Sequence, residues 1–230
     1  GYEENMEEIL RIAEIYPDDF IPFCTISPLD PDPLALFKRC IERGGKGLKL
    51  YNGHSYYYNI FGVPLDSPLM MPLYAYAEQE KVPIIYHVNT ERYGNEMENV
   101  LRAYPNLRIL IPHFMVSSAD LARVEYFLSR HPNLFTDISF GSEPFMAAGF
   151  RLISGNPEAF RKFFADFSDR ILFGADMVLT EVPRKDAAYM KRMLQCYRDL
   201  LERERFQCGP VSDYYQMQAA NYESQYERCE

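Results

Sequence analysis

Apolar runs of strand length alternate along the chain with longer stretches whose apolar residues recur at spacings of three and four, the pattern of βαβ units around a parallel sheet. Six runs read as strands: "FIPFCTI" (20–26), "KGLKLY" (46–51), "VPIIYHV" (82–88), "LRILIPHF" (107–114), "LFTDIS" (134–139) and "RILFGAD" (170–176). The amphipathic stretches "DPLALFKRCIERGG", "PLMMPLYAYAEQE", "NEMENVLRAYP", "SADLARVEYFLSRHP" and "NPEAFRKFFADF" read as the helices between them. Asp32 and Ser118 are placed to cap helix starts, and Gly44-Gly45 to stop one. The strands are apolar on both faces, as parallel strands covered on both sides must be.

A junction recurs three times: "EIYPDDFIPF", "RAYPNLRIL" and "SRHPNLFTDI" each end a helix at an aromatic-Pro or His-Pro pair and restart as a strand. Proline stops the helix and the polar residue after it turns the chain. This repeated unit favours a (β/α) barrel over a sandwich, in one domain covering 1–230. The tail from 211 is read as either a final helix or a disordered end. The stretch "YNGHSYYYNIFGVPLDSP" (51–68) reads as a long aromatic loop after a strand. Loops of that length in a compact domain usually cap a site or bind something.

Three strands end in a group able to bind metal or carry a proton: His87, His113 and Asp176. In a barrel such ends converge on one rim, where the chemistry sits. Neutral imidazole together with carboxylate suits zinc, iron or manganese. Lys49 and Asp137 fall near the same rim. Each residue also has a structural reading. A lone strand-end histidine is often a satisfied structural residue, Asp176 is placed to cap a following helix, and Lys49 to snorkel or pair with a carboxylate. His54 in the tyrosine-rich loop reads as surface or as a substrate contact, His131 as a helix end remote from the rim, and Tyr56-Tyr57-Tyr58 as packing or a stacking platform.

Composition narrows the partners. The net charge of −9 with no basic block disfavours nucleic acid and anionic membrane. No apolar run reaches the ~18 residues of a membrane span. Five cysteines, odd in number and without a C-x-x-C pair, suggest neither a disulfide framework nor a thiolate zinc site, so a reducing cytoplasm is expected. The expected partner is a small-molecule substrate.

The segments "GGKGLKLY", "PLYAYAEQEKVPIIYHV", "AYPNLRILIPHF", "HPNLFTDIS" and "RILFGAD" resemble, in order, the last five strand regions of the amidohydrolase superfamily. The likeness is to its amidohydrolase-related branch, which includes aminocarboxymuconate-semialdehyde decarboxylase-like enzymes. It covers roughly residues 5 to 180. It implies a TIM-barrel-like (β/α)-eight fold, a divalent metal with Zn ahead of Mn or Fe, and a metal-activated water. His87 then matches the metal-site histidine of the fifth strand, His113 that of the sixth, and Asp176 the aspartate of the eighth.

The family's first-strand H-x-H pair has no counterpart here, and "FIPFCTI" aligns with the family's third strand. The barrel is therefore expected to be incomplete at its N-terminal side. That part would be removed, supplied by another chain, or absent by descent, and a homo-oligomer is a separate expectation. Such a chain is expected to bind a divalent ion weakly. The implied reaction is hydrolysis or non-oxidative decarboxylation of a small carboxylate, lactone or amide, with His87 on the metal, Asp176 as ligand or proton acceptor, His113 orienting water or polarising substrate, and Lys49 and His54 contacting substrate. The other outcome is a metal-free barrel remnant acting as a binding or scaffold subunit.

Overall fold

A computed structural model describes residues 2–116, 120–141, 143–177, 186–208 and 214–216. Six strands form one sheet in the order β1-β2-β3-β4-β5-β6, alternating with helices along the chain, and the pairs β1–β2, β2–β3, β3–β4 and β5–β6 are parallel. This is the α/β organisation that the alternating pattern predicts. The chain divides into two compact units, residues 1–117 with 129–135 and residues 118–128 with 136–230.

The first unit carries α1 (Tyr2–Ile15), β1 (Phe23–Thr25), α2 (Pro33–Glu42), β2 (Gly47–Gly53), α3 (Ser55–Phe61), α4 (Met71–Gln79), β3 (Ile84–Val88), α5 (Thr90–Ala103), β4 (Ile109–Ile111), a short turn α6 (Pro112–Val116) and the start of β5 (Leu134–Asp137). Its sheet has two different faces. Leu48, Leu50, Ile84, Tyr86, Val88, Ile109 and Ile111 are buried, and α4 lies on their side, because Tyr74 packs on Tyr86. Strand residues alternate between faces, so Lys49, Tyr51, Ile85, His87 and Leu110 point the other way. Lys49 and His87 thus lie on the face away from α4.

The helix boundaries follow local chemistry. The Asp32 carboxylate accepts from the Ala35 N–H at 2.9 Å to cap α2, and Gly44, with φ +106°, turns the chain after it. Both were expected; Ser118 lies outside the described residues. The strands are shorter than the apolar runs. β1 keeps only 23–25 of the run 20–26, and β4 stops at Ile111 because Pro112 has no N–H to donate. The stretch 51–68 is not all loop: β2 extends to Gly53 and α3 follows, with no fully buried residue of its own.

The second unit holds α7 (Leu121–Arg130) except its last two residues, the end of β5, α8 (Glu143–Gly155), α9 (Pro157–Asp166), β6 (Ile171–Leu172), α10 (Ala187–Glu202) and an antiparallel pair, β7 (Arg205–Gln207) with β8 (Tyr214–Gln216). Phe150, Phe160, Phe163, Phe164 and Tyr197 are its large buried side chains. The described part of the tail is a strand rather than a helix.

The cysteine expectation is overturned. Cys24 bonds Cys40, tying β1 to α2, and Cys196 bonds Cys208, tying α10 to the end of β7. All four are buried. Their spacing in sequence carried no sign of this, because the pairing depends on which strand a helix packs against. Among the described residues no helix is long and apolar enough to cross a membrane.

Candidate active site

In the first unit three histidines meet at the carboxyl ends of adjacent strands, His87 within β3 and His54 and His113 just beyond β2 and β4. β2 carries one extra residue against β3 between Leu50 and Gly53, and this bulge brings the following His54 onto the side that His87 faces. Gly53 permits the close approach, since a Cβ there would lie 2.5 Å from the His87 carbonyl oxygen. The His54 and His87 ring centres are 4.6 Å apart, and those of His87 and His113 are 5.0 Å apart.

His54 also starts α3: its Nδ1 accepts from the Tyr56 N–H at 3.2 Å. That bond assigns the ring proton of the neutral form to Nε2. Tyr57, on α3, contacts His54 at 5.6 Å and Tyr51 at 5.7 Å between ring centres. Tyr51 lies near-parallel to His87 at 6.4 Å, and the Lys49 ammonium sits 4.8 Å above the Tyr51 ring. The expected contact residues Lys49 and His54 are therefore brought to His87 and His113, within an aromatic wall.

Burial disfavours the imidazolium, so the His87 pKa is pushed down to about 3, with the nearby charges of His113, His54 and Lys49 adding to the effect. His54 is shifted down for the same first reason, then by His113. His87 is thus an uncharged imidazole at neutral pH, the form that binds a metal ion.

The chain leaves β4 in an uncommon conformation. His113, Phe114, Met115 and Val116 have φ of +61°, +50°, +59° and +54°, four consecutive left-handed residues without a glycine. The apolar run at 107–114 predicts a strand through His113; the histidine lies instead in this turn. Two bonds lace the strand exits together. The Asn89 N–H donates to the Gly53 carbonyl at 3.0 Å, and the Thr90 hydroxyl donates to the Met115 carbonyl at 2.9 Å.

A buried polar network supports the wall from behind. The Tyr86 hydroxyl donates to Asn52 Oδ1 at 2.8 Å, the Tyr74 hydroxyl donates to the Leu65 carbonyl at 2.9 Å, and the two hydroxyl oxygens are 3.2 Å apart. Glu96 accepts from the Tyr58 hydroxyl at 2.7 Å and from the Leu65 N–H at 2.8 Å. Desolvation and this carboxylate push Tyr58 up to about 12, and its ring stacks on Tyr93 at 4.0 Å. Tyr56-Tyr57-Tyr58 is thus divided: Tyr57 faces the histidines, Tyr58 is a structural latch, and Tyr56 is exposed. Sequence reasoning missed Tyr51, Thr90 and Glu96, which carry no local signal beyond their place after a strand or on a helix.

In the second unit Asp176 follows β6 with φ +48°. Its Oδ2 lies 2.7 Å from where a Cβ on Gly141 would stand, and Gly141 itself has φ +73°. Asp137 Oδ1 accepts from the Ser139 N–H at 3.0 Å and its hydroxyl at 2.6 Å. Tyr197 accepts from the Phe140 N–H at 2.8 Å, and its hydroxyl is pushed up by burial and then by the charges of Asp137 and Asp176. Residues 178–185, just after Asp176, lie outside the described residues, and α10 is capped by Asp186, which accepts from the Tyr189 N–H at 2.7 Å. His131, at the end of α7, pairs with Glu98 at 2.9 Å, the structural place expected of it.

Neutral imidazoles suit a divalent ion in kind. Among the described residues no group of three or more His, Cys, Asp or Glu side chains is set around one point.

The amidohydrolase family profile matches residues 2–205. The chain belongs to the amidohydrolase family. No curated protein matches it. Among solved structures, this amidohydrolase-family chain is similar to an uncharacterised TIM-barrel protein from Bordetella bronchiseptica (19% identity, TM-score 0.58, covering 84% of this chain and 70% of that one). It is also similar to a 4-oxalomesaconate hydratase from Rhodopseudomonas palustris (20%, TM-score 0.53, 84% and 64%). A third is a 5-carboxyvanillate decarboxylase from Novosphingobium aromaticivorans, solved with manganese and a nitrobenzoic acid (17%, TM-score 0.51, 98% and 69%). At these identities the likeness is one of fold, and it places the six-stranded sheet among TIM-barrel proteins.

Proposed function

We propose that the chain supplies the active-site half-shell of a metal-dependent hydrolase or non-oxidative decarboxylase acting on a small organic carboxylate, lactone or amide. The observation that carries this reading is the cluster of His54, His87 and His113 at adjacent strand exits, with His87 held uncharged. Family membership and the decarboxylase among the structural neighbours support it.

His87 and His113 are the residues of this unit that would hold or adjoin a divalent ion, Zn with Mn or Fe as alternatives. Such an ion, when bound, lowers the pKa of a coordinated water toward neutrality. The chain's own groups supply the rest. His113 Nδ1 or Nε2 orients the water or polarises the substrate carbonyl. Lys49 Nζ pairs with a substrate carboxylate, and the rings of Tyr51 and Tyr57 exclude water from one side. His54, bound through Nδ1, presents Nε2–H as a donor to substrate. The family resemblance gives Asp176 the part of ligand or proton acceptor at its Oδ atoms. The two disulfides favour an oxidising compartment for the folded chain.

Elemental analysis of protein purified without chelator tests the reading, together with a turnover screen of aromatic and dienoic carboxylates, lactones and amides. Weak metal binding that is reduced further in His87→Ala, with turnover in added Zn²⁺ or Mn²⁺ lost in the same variant, is expected. Absence of metal and turnover after supplementation with Zn²⁺ or Mn²⁺ would favour a scaffold role.

A further inference from the structure

We propose that Thr90 is a positioning residue, whose hydroxyl holds the left-handed turn carrying His113 against the strand exit carrying His87. The inference rests on the reading that these two histidines act together.

Left-handed backbone is unfavourable for every non-glycine residue, because Cβ then crowds the following carbonyl oxygen. A run of four, one of them the β-branched Val116, persists only where tertiary contacts determine it. The Thr90 hydroxyl makes one such contact, donating to the Met115 carbonyl inside the turn at 2.9 Å, and Thr90 is 4% exposed.

Thr90 is not needed to start its own helix. Asn89 caps α5, its side chain accepting from the Glu91 N–H at 3.1 Å and the Arg92 N–H at 3.2 Å. The threonine hydroxyl is directed across to the next strand exit instead. Asn89 meanwhile donates its own N–H to Gly53, on the exit that leads to His54. The dipeptide Asn89-Thr90, just beyond His87, therefore bonds to both neighbouring exits. Each of those exits leads to or carries another histidine of the cluster. Without the hydroxyl the Met115 carbonyl is left buried with a bond fewer, and the turn is free to relax toward ordinary backbone, which swings His113 away from His87.

The chain has four histidines, so the imidazole region of a long-range ¹H–¹⁵N spectrum is simple, and His131, held by Glu98, is an internal control. Thr90→Val keeps the shape and removes the donor. It is expected to shift or broaden the His113 and His87 signals, to leave His131 in place, and to weaken Zn²⁺ binding by about tenfold or more, as loss of an outer-shell bond does. Thr90→Ser keeps the donor and is expected to show the wild-type signals. The proposal is overturned if His113 is unmoved in Thr90→Val, if His131 moves as far as His113, or if Thr90→Ser displaces His113. The last comparison stands even where the valine variant fails to fold. Should the wild-type His87 and His113 signals ignore added Zn²⁺ while the Thr90 pattern holds, the metal reading fails and the positioning role remains.

Discussion

His87 and His113 lie 5.0 Å apart between ring centres, although one belongs to β3 and the other to a left-handed turn beyond β4. Two imidazoles this close cannot both carry charge cheaply in a partly buried place. The neutral state of His87 follows, and with it a dependence of stability on pH.

For the metal-free protein, the His87 pKa is about 3 when folded against an ordinary 6.5. The unfolded chain therefore binds more protons between these values, and stability rises with pH through that window. The contribution is complete above pH 6.5 and is lost as pH falls toward 3. Its upper bound is roughly 3–5 kcal/mol, from ~1.4 kcal/mol per pKa unit. Urea unfolding in EDTA at pH 7 and pH 4 should show this loss in the wild type and a smaller one in His87→Gln. Equal losses in both would assign the acid sensitivity elsewhere.

Metal binding by these 230 residues is expected to be weak, because they contain no H-x-H pair and no complete ligand set among the described residues. Competition with a chromophoric zinc chelator reads this directly. His87→Ala should weaken binding further, whereas His131→Ala should not. Tight stoichiometric binding unaffected by His87→Ala would place the ligands elsewhere.

The Gly141 Cα is held against Asp176, with a substituted Cβ only 2.7 Å from Oδ2 and φ at +73°. Gly141→Ala should therefore destabilise by about 1–2 kcal/mol through backbone strain, displace Asp176 and reduce turnover at least tenfold. Gly155→Ala, with open space around its Cβ, is the control. Equal turnover in the two variants would remove Asp176 from the reaction.

The disulfides predict a thiol count. Of five cysteines, four are bonded in two pairs, and Cys229 lies outside the described residues. By mass spectrometry, alkylation of the denatured protein should add at least four more groups after reduction than before it. Reduction should lower stability by about 2–4 kcal/mol for each bond opened. Five added groups without reductant would restore the picture of scattered free thiols.

The order of strands and helices was legible in the sequence because a buried parallel strand must be apolar on both faces and a helix must keep its own period. The placement of His87 was legible for the same reason: alternation along "IIYHV" buries Ile84, Tyr86 and Val88 and turns the histidine to the opposite face. The caps at Asp32 and the stop at Gly44 are local chemistry and were readable too. His54 was not, since its place depends on a one-residue bulge in β2 that no local pattern announces. Nor was the turn at His113, where an apolar run continues in sequence after Pro112 has ended the strand. The disulfides, the Thr90 bond to Met115 and the contact of Gly141 with Asp176 join residues far apart in the chain. Such pairings arise only once packing has chosen which elements are neighbours, so the tertiary structure alone decided them.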